Sequence, residues 1–223
     1  MGVSVQRDIY LLLGSIRNPA RDGFSGISAA ERQWLGNCAG AEQSAAFYTG
    51  RKLARELLQQ HSPALAEREF LHNPWGKPYL QGAGHFSIAH GAGLAGCVWS
   101  QTPVGFNLQP QRLLDYAAQT PAVFCLAEQQ QLEALAPALR RYYVCQVRSA
   151  KHALCKAIGQ GQACPLPEMS VHTYNQKMGL IHYAGIVWHV LWQQAEGDNL
   201  LAVVSEEPFQ LHEHSLPPRQ AAI

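Results

Sequence analysis

No run in this chain approaches the roughly 20 consecutive apolar residues that a membrane-crossing helix requires, so no span is expected. None of the six cysteines (Cys38, Cys97, Cys125, Cys145, Cys155 and Cys164) stands in a CxxC pair, which argues against the common zinc sites. Charge is sparse: 15% of residues, with 17 Lys and Arg against 16 Asp and Glu and a net charge of +1. Such a balance gives no global field for nucleic acid, and no basic stripe is interleaved with aromatics. The apolar run Ile9–Leu13 follows Arg7 and Asp8 and precedes no small-residue cleavage site. It reads as a first strand rather than a signal peptide. Free thiols and a cytoplasmic location are the expectation. Acidic residues are absent altogether from Ala134 to Pro167.

What is present suits a packed core: 223 residues, 47% of them hydrophobic, enough for one large domain or two small ones. The pattern is mixed. Residues 6–14 read as a strand, and Ser28 with Glu31 makes a capping box that opens a helix. Residues 41–61 form a second helix, with Phe47, Ala54, Leu57 and Leu58 on one side and Arg51 and Arg55 beside them. "NPWGKPYL" is a turn leading into a short strand. "HFSIAHG", "LAGCVWS" and "VGFNLQ" are strands separated by Gly or Pro breaks. The second half repeats this plan: a helix from "VFCLAEQQQLEAL", a long helix over 139–158 stopping at Gly159, then the strands "EMSVHTYNQ", "IVWHVLWQQ" and "NLLAVVSEE". The expected fold class is therefore α+β, as two related halves, 1–103 and 104–212, followed by a disordered tail at 213–223. A ligand cleft is expected between the halves.

The long helix is the most informative segment. Arg148, His152 and Lys156 are spaced i, i+4, i+8 along one stripe, flanked by Lys151. Like charges stacked on one face suggest a waiting anion, and a solvated basic face is the alternative. Lys77 sits in a Gly/Pro turn, as a point-charge contact for phosphate or as plain surface. His90 ends a strand before Gly91 and Gly93, as a ligand contact or as a structural histidine. On "VGFNLQ", Asn107 and Gln109 share a face.

In order, "WGKPYL", "FSIAHG", "PVGFNLQ", "FCLAE" and "VRSAKHALCKAIGQG" resemble the motifs of the 4′-phosphopantetheinyl transferases of the surfactin-synthetase type, in register over residues 76–160. The resemblance implies a pseudo-dimer with coenzyme A between its halves, and transfer of the phosphopantetheine arm to a serine of an acyl or peptidyl carrier protein. No nucleic-acid or membrane partner is expected. It implies coenzyme A contacts at Arg51, Lys77, His90, Arg148, Lys151 and Lys156. The family's Mg²⁺ is held by three carboxylates, and the matching positions here are Asn107, Gln109 and His152. Two neutral amides and an imidazole suit Mg²⁺ poorly, so a weak metal site or none is expected. The family's serine before the histidine is Ala89, and Arg148 replaces its tryptophan. Two readings stay open. In one, Arg148, Lys151 and Lys156 replace the metal, with His152 as general base and Lys156 at the reacting centre. In the other, the chain is an inactive homologue that binds coenzyme A or a carrier protein. Because one chain carries both halves, a monomer is expected.

Overall fold

The computed structural model describes residues 6–38, 40–111 and 121–214. The chain opens with β1 (Arg7–Ser15), α1 (Ala29–Leu35) and α2 (Ala41–His61). The two-residue strands β2 (Leu71–His72) and β3 (Pro78–Tyr79) lead into the hairpin β4 (His85–Gly91) and β5 (Leu94–Ser100). Next come β6 (Val104–Pro110), α3 (Leu126–Ala134) and α4 (Pro137–Ile158). The strands β7 (Ser170–Thr173), β8 (Met178–Tyr183), β9 (Ile186–Ala195), β10 (Asn199–Ser205) and β11 (Phe209–His214) complete it. The architecture is α+β.

Two sheets carry the fold, with orders β11-β1-β5-β4 and β6-β10-β9-β8-β7. Alternation of side chains along the strands explains how they stack. Leu11 and Val98 of the first sheet meet Phe106, Leu108, Leu201 and Val203 of the second in one buried cluster. The opposite faces take the long helices. Leu12, Cys97 and Trp99 pack with Leu53 and Leu57 of α2. Leu200, Ala202 and Trp192 pack with Val147 and Leu154 of α4. The order of layers is therefore helix, sheet, sheet, helix.

The strand registers repeat. In the first sheet Ser100 lies opposite Ile9 on one side and His85 on the other. In the second, Ser205 lies opposite Val104 and His189. By the same register Asn107 corresponds to Leu12, so the buried amide is peculiar to the second sheet.

Three strands escape the sequence pattern: the two-residue β2, β8 and β11. β8 separates the expected "EMSVHTYNQ" and "IVWHVLWQQ" strands. β11 pairs in parallel with β1, so this late segment joins the first sheet. It reaches His214, two residues into the segment expected as tail. Residues 215–223 lie outside the described residues.

Candidate anion-binding cleft

The site is assembled at the C-terminal end of α4. Pro137 stands at the first turn, where its missing N–H costs nothing, and Gly159 closes the helix at φ 82°. That left-handed position favours glycine, and a Cβ there would fall 2.8 Å from Asn73 Nδ2. Asn73 organises the facing turn. Its Oδ1 accepts from the backbone N–H of Trp75 (3.0 Å) and Lys77 (2.8 Å), while Nδ2 donates to Gly159 O (2.7 Å). Lys77 Nζ donates to Ala157 O at 3.0 Å. An ammonium and an amide thus satisfy two of the carbonyls that any helix C-terminus leaves open, where positive charge is favoured.

Strand β6 lies against the same helix. A Cβ at Gly105 would sit 1.8 Å from Ala153 O, so only glycine allows this approach. Two residues on, Asn107 faces the same side. Lys156 Nζ donates to Asn107 Oδ1 at 3.3 Å and to Ile88 O of β4 at 3.2 Å. Lys77 and Lys156 line one cavity of 200 Å³, with Trp75, Ser87, Ile88 and Gly159 among its walls and no acidic residue among the described ones. Desolvation lowers the pKa of Lys77 to about 8 and that of Lys156 to about 8. Each ammonium has three N–H donors. Lys77 commits one and Lys156 two, which leaves donors for a ligand.

The stripe on α4 extends this positive region. His152 is held at a pKa of about 4, first by desolvation, then by Arg148 and Lys156. It is neutral at pH 7. His90, exposed at the end of β4, has its pKa lowered by partial desolvation and then by Lys156. Desolvation also lowers Arg148. His90, Arg148, His152 and Lys156 thus belong to one electrostatic neighbourhood, in which Glu42 also acts on His90, and Lys77 joins it through the cavity it shares with Lys156.

Two expected ligand contacts lie elsewhere. Lys151 is 0% exposed and spans 2.5 Å to Glu128 Oε2 and 2.7 Å to Val123 O. Glu128 is itself fixed by the N–H groups of Cys125 and Val171. One residue, about 100° of rotation around the helix, separates Lys151 from His152 of the stripe and points it into the core beneath α3. Arg51 is buried beside Glu31, 4.0 Å away, and His72, 3.1 Å away, with its guanidinium over the rings of Phe47 and Phe70. Desolvation lowers its pKa to about 10. The partner of Glu31 that repeats the Glu128–Lys151 pair is Arg55, at 2.7 Å, one turn after Arg51. The structure adds Asn73 and Ser87 to the site. Asn73 was legible only as part of an Asn-Pro turn, because its docking on Gly159 joins residues 86 positions apart.

The positions matched to the Mg²⁺ ligands do not fit that ion. Magnesium demands about six hard oxygens in near-octahedral array. Asn107 Oδ1 already accepts from Lys156, Gln109 Nε2 bonds to Pro110 O, and His152 offers a nitrogen. Among the described residues no group of three or more His, Cys, Asp or Glu could hold a metal. The arrangement can bind an anion. It lacks a strong base, because an imidazole with a pKa near 4 takes a proton poorly at neutral pH.

No protein-family model matches the chain, and no curated protein matches it. Among solved structures it is similar to the holo-[acyl-carrier-protein] synthase of Thermotoga maritima, at 16% identity and a TM-score of 0.39. The match covers 46% of this chain and 61% of that one, less than two thirds of the neighbour's own length. Among the described residues no helix is long and apolar enough to cross a membrane.

Proposed function

We propose that this chain is a 4′-phosphopantetheinyl transferase-like protein that binds coenzyme A by its phosphates in a cleft between two related halves, residues 1–103 and 104–212. The observation that carries the reading is the pair Lys77 and Lys156 on one cavity with no acidic residue among its described walls, each lysine contributed by a different half. At 200 Å³ the cavity suits a phosphate rather than the whole cofactor. Arg148 extends the positive surface along which the rest of a polyanion would lie, and His90, its pKa lowered, offers a neutral imidazole for hydrogen bonding. Neither Lys151 nor Arg51 belongs to this set: Lys151 is paired with Glu128 in the core, Arg51 is buried beside Glu31, His72 and two aromatic rings, and neither is among the described walls of the cavity. The partner of such a protein is an acyl or peptidyl carrier protein, and the working unit is a monomer.

A specific observation favours binding without efficient transfer. Phosphoryl transfer depends on charge stabilisation and a positioned base. Here the metal carboxylates are replaced, and His152 is a weak base at neutral pH. The catalytic reading requires His152 to take the serine proton while Lys156 neutralises the pyrophosphate. Two measurements separate the readings. Calorimetry with coenzyme A reports binding; intact mass after incubation with coenzyme A and several apo carrier proteins reports transfer. Binding with no mass gain supports a silent homologue. A mass gain establishes the transferase. Absence of both binding and transfer sinks the proposal.

A further inference from the structure

The contact between Lys156 and Asn107 has the form of a cation on its ligand. The ammonium bridges an amide oxygen on β6 and a main-chain carbonyl on β4. Among the described residues no carboxylate is a hydrogen-bond partner of this ammonium, and none acts on its charge. Its positive charge is therefore uncompensated by any carboxylate among the described residues. It keeps a third N–H for a further acceptor. An aspartate at position 107 would cancel that charge, whereas asparagine keeps the shape and leaves the charge in place. A divalent ion brought to Asn107 Oδ1 would have to share that oxygen with a resident ammonium and bear its repulsion.

We infer that the Lys156 ammonium is the built-in cation of this cleft: it stands on Asn107 where a divalent metal would otherwise stand, and phosphate groups are met by lysine charge with no metal recruited. Lys77 is its counterpart across the cavity, anchored on Ala157 O with two N–H groups to spare. The identity of the phosphate ligand rests on the coenzyme A reading above. The place of the ammonium rests on its contacts with Asn107 and Ile88, and the place of the metal it stands in for rests on the match of Asn107 to the family's ligand position.

Two calorimetric series test this. The first titrates coenzyme A, and inorganic pyrophosphate as a smaller probe, with Mg²⁺ and with a chelator. The expected affinity changes by less than about twofold between the two conditions, while Lys156→Met weakens binding by about tenfold or more and Lys156→Arg restores part of it. A wild-type affinity that depends on Mg²⁺ overturns the inference and leaves coenzyme A binding intact. The second series titrates Mg²⁺ alone, so it is decided even if coenzyme A does not bind. The variant Asn107→Asp with Gln109→Glu and His152→Glu places three carboxylates at these positions. With Lys156 kept, it is expected to bind Mg²⁺ about tenfold or more weakly than with Lys156→Met, which keeps the volume of the stem and vacates the cation's place. Equal Mg²⁺ affinity in the two folded variants, or no Mg²⁺ binding by either, overturns the inference.

Discussion

Lys151 Nζ and Glu128 Oε2 meet at 2.5 Å with neither side chain more than 2% exposed. The pair ties α4 to the start of α3, and Glu128 Oε1 extends the tie to β7 through Val171 N at 2.8 Å. Glu31 and Arg55 make the corresponding link between α1 and α2. A buried ion pair is weak evidence for net stability, yet breaking one partner leaves an uncompensated charge.

Lys151→Ala is therefore expected to destabilise the fold by about 3–5 kcal/mol, read by urea unfolding. Lys151→Met with Glu128→Gln removes both charges and is expected to recover a substantial part. Coenzyme A affinity per folded molecule is expected to hold in the double variant. A loss of affinity there would return Lys151 to the ligand.

Asn73→Ala removes the hydrogen bonds to Gly159 O, Trp75 N and Lys77 N. The expected cost is about 1–3 kcal/mol, from an orphaned helix-end carbonyl and a loosened turn. Because that turn aims Lys77, coenzyme A affinity is expected to fall more than stability alone accounts for. Equal coenzyme A affinity in the folded variant would show that the turn does not organise the site.

The pH dependence follows from Lys77. Folded, it loses its proton near pH 8; unfolded, near the ordinary 10.5. Between these values the unfolded chain holds more protons, so stability rises as pH increases through the window. The rise attributable to Lys77 is on the order of 2 kcal/mol, and Lys77→Met is expected to flatten it. Lys156, lowered in the same direction, adds to the wild-type slope. Anion binding runs the other way, weakening above pH 8 as the ammonium charge is lost. A flat binding profile from pH 7 to 9.5 would remove Lys77 from the site.

Gly105→Ala places a methyl 1.8 Å from Ala153 O, a backbone atom that cannot rotate away. The expected penalty is about 3 kcal/mol, with β6 displaced from α4 and the hydrogen bond between Lys156 and Asn107 broken. Near-wild-type stability would mean that the strand and helix are less closely opposed than described.

Local chemistry wrote much of this fold into the chain. The Ser28–Glu31 capping box, the helix at 41–61, the stop at Gly159 and the "VGFNLQ" strand all depend on neighbours within a few residues, and all are found. β11 was hidden because its partner β1 lies some 200 residues away and its own sequence, FQLHEH, is mostly polar. β8 was hidden by a Gly and by a short hairpin on either side.

The candidate site divides along the same line. Sequence alone determined that the second half carries an acid-free run of cations and that amides stand at 107 and 109, because these are matters of composition and strand alternation. It could not say which of those cations the fold pairs with a carboxylate. Lys151 and Lys156 share a helix, a charge and a long stem, and differ by five residues. Only the tertiary structure decided between them: Glu128, reaching α4 from a different helix, captures Lys151 in the core, while the approach of β6 allowed by Gly105 gives Lys156 an uncharged oxygen and leaves its charge free to act.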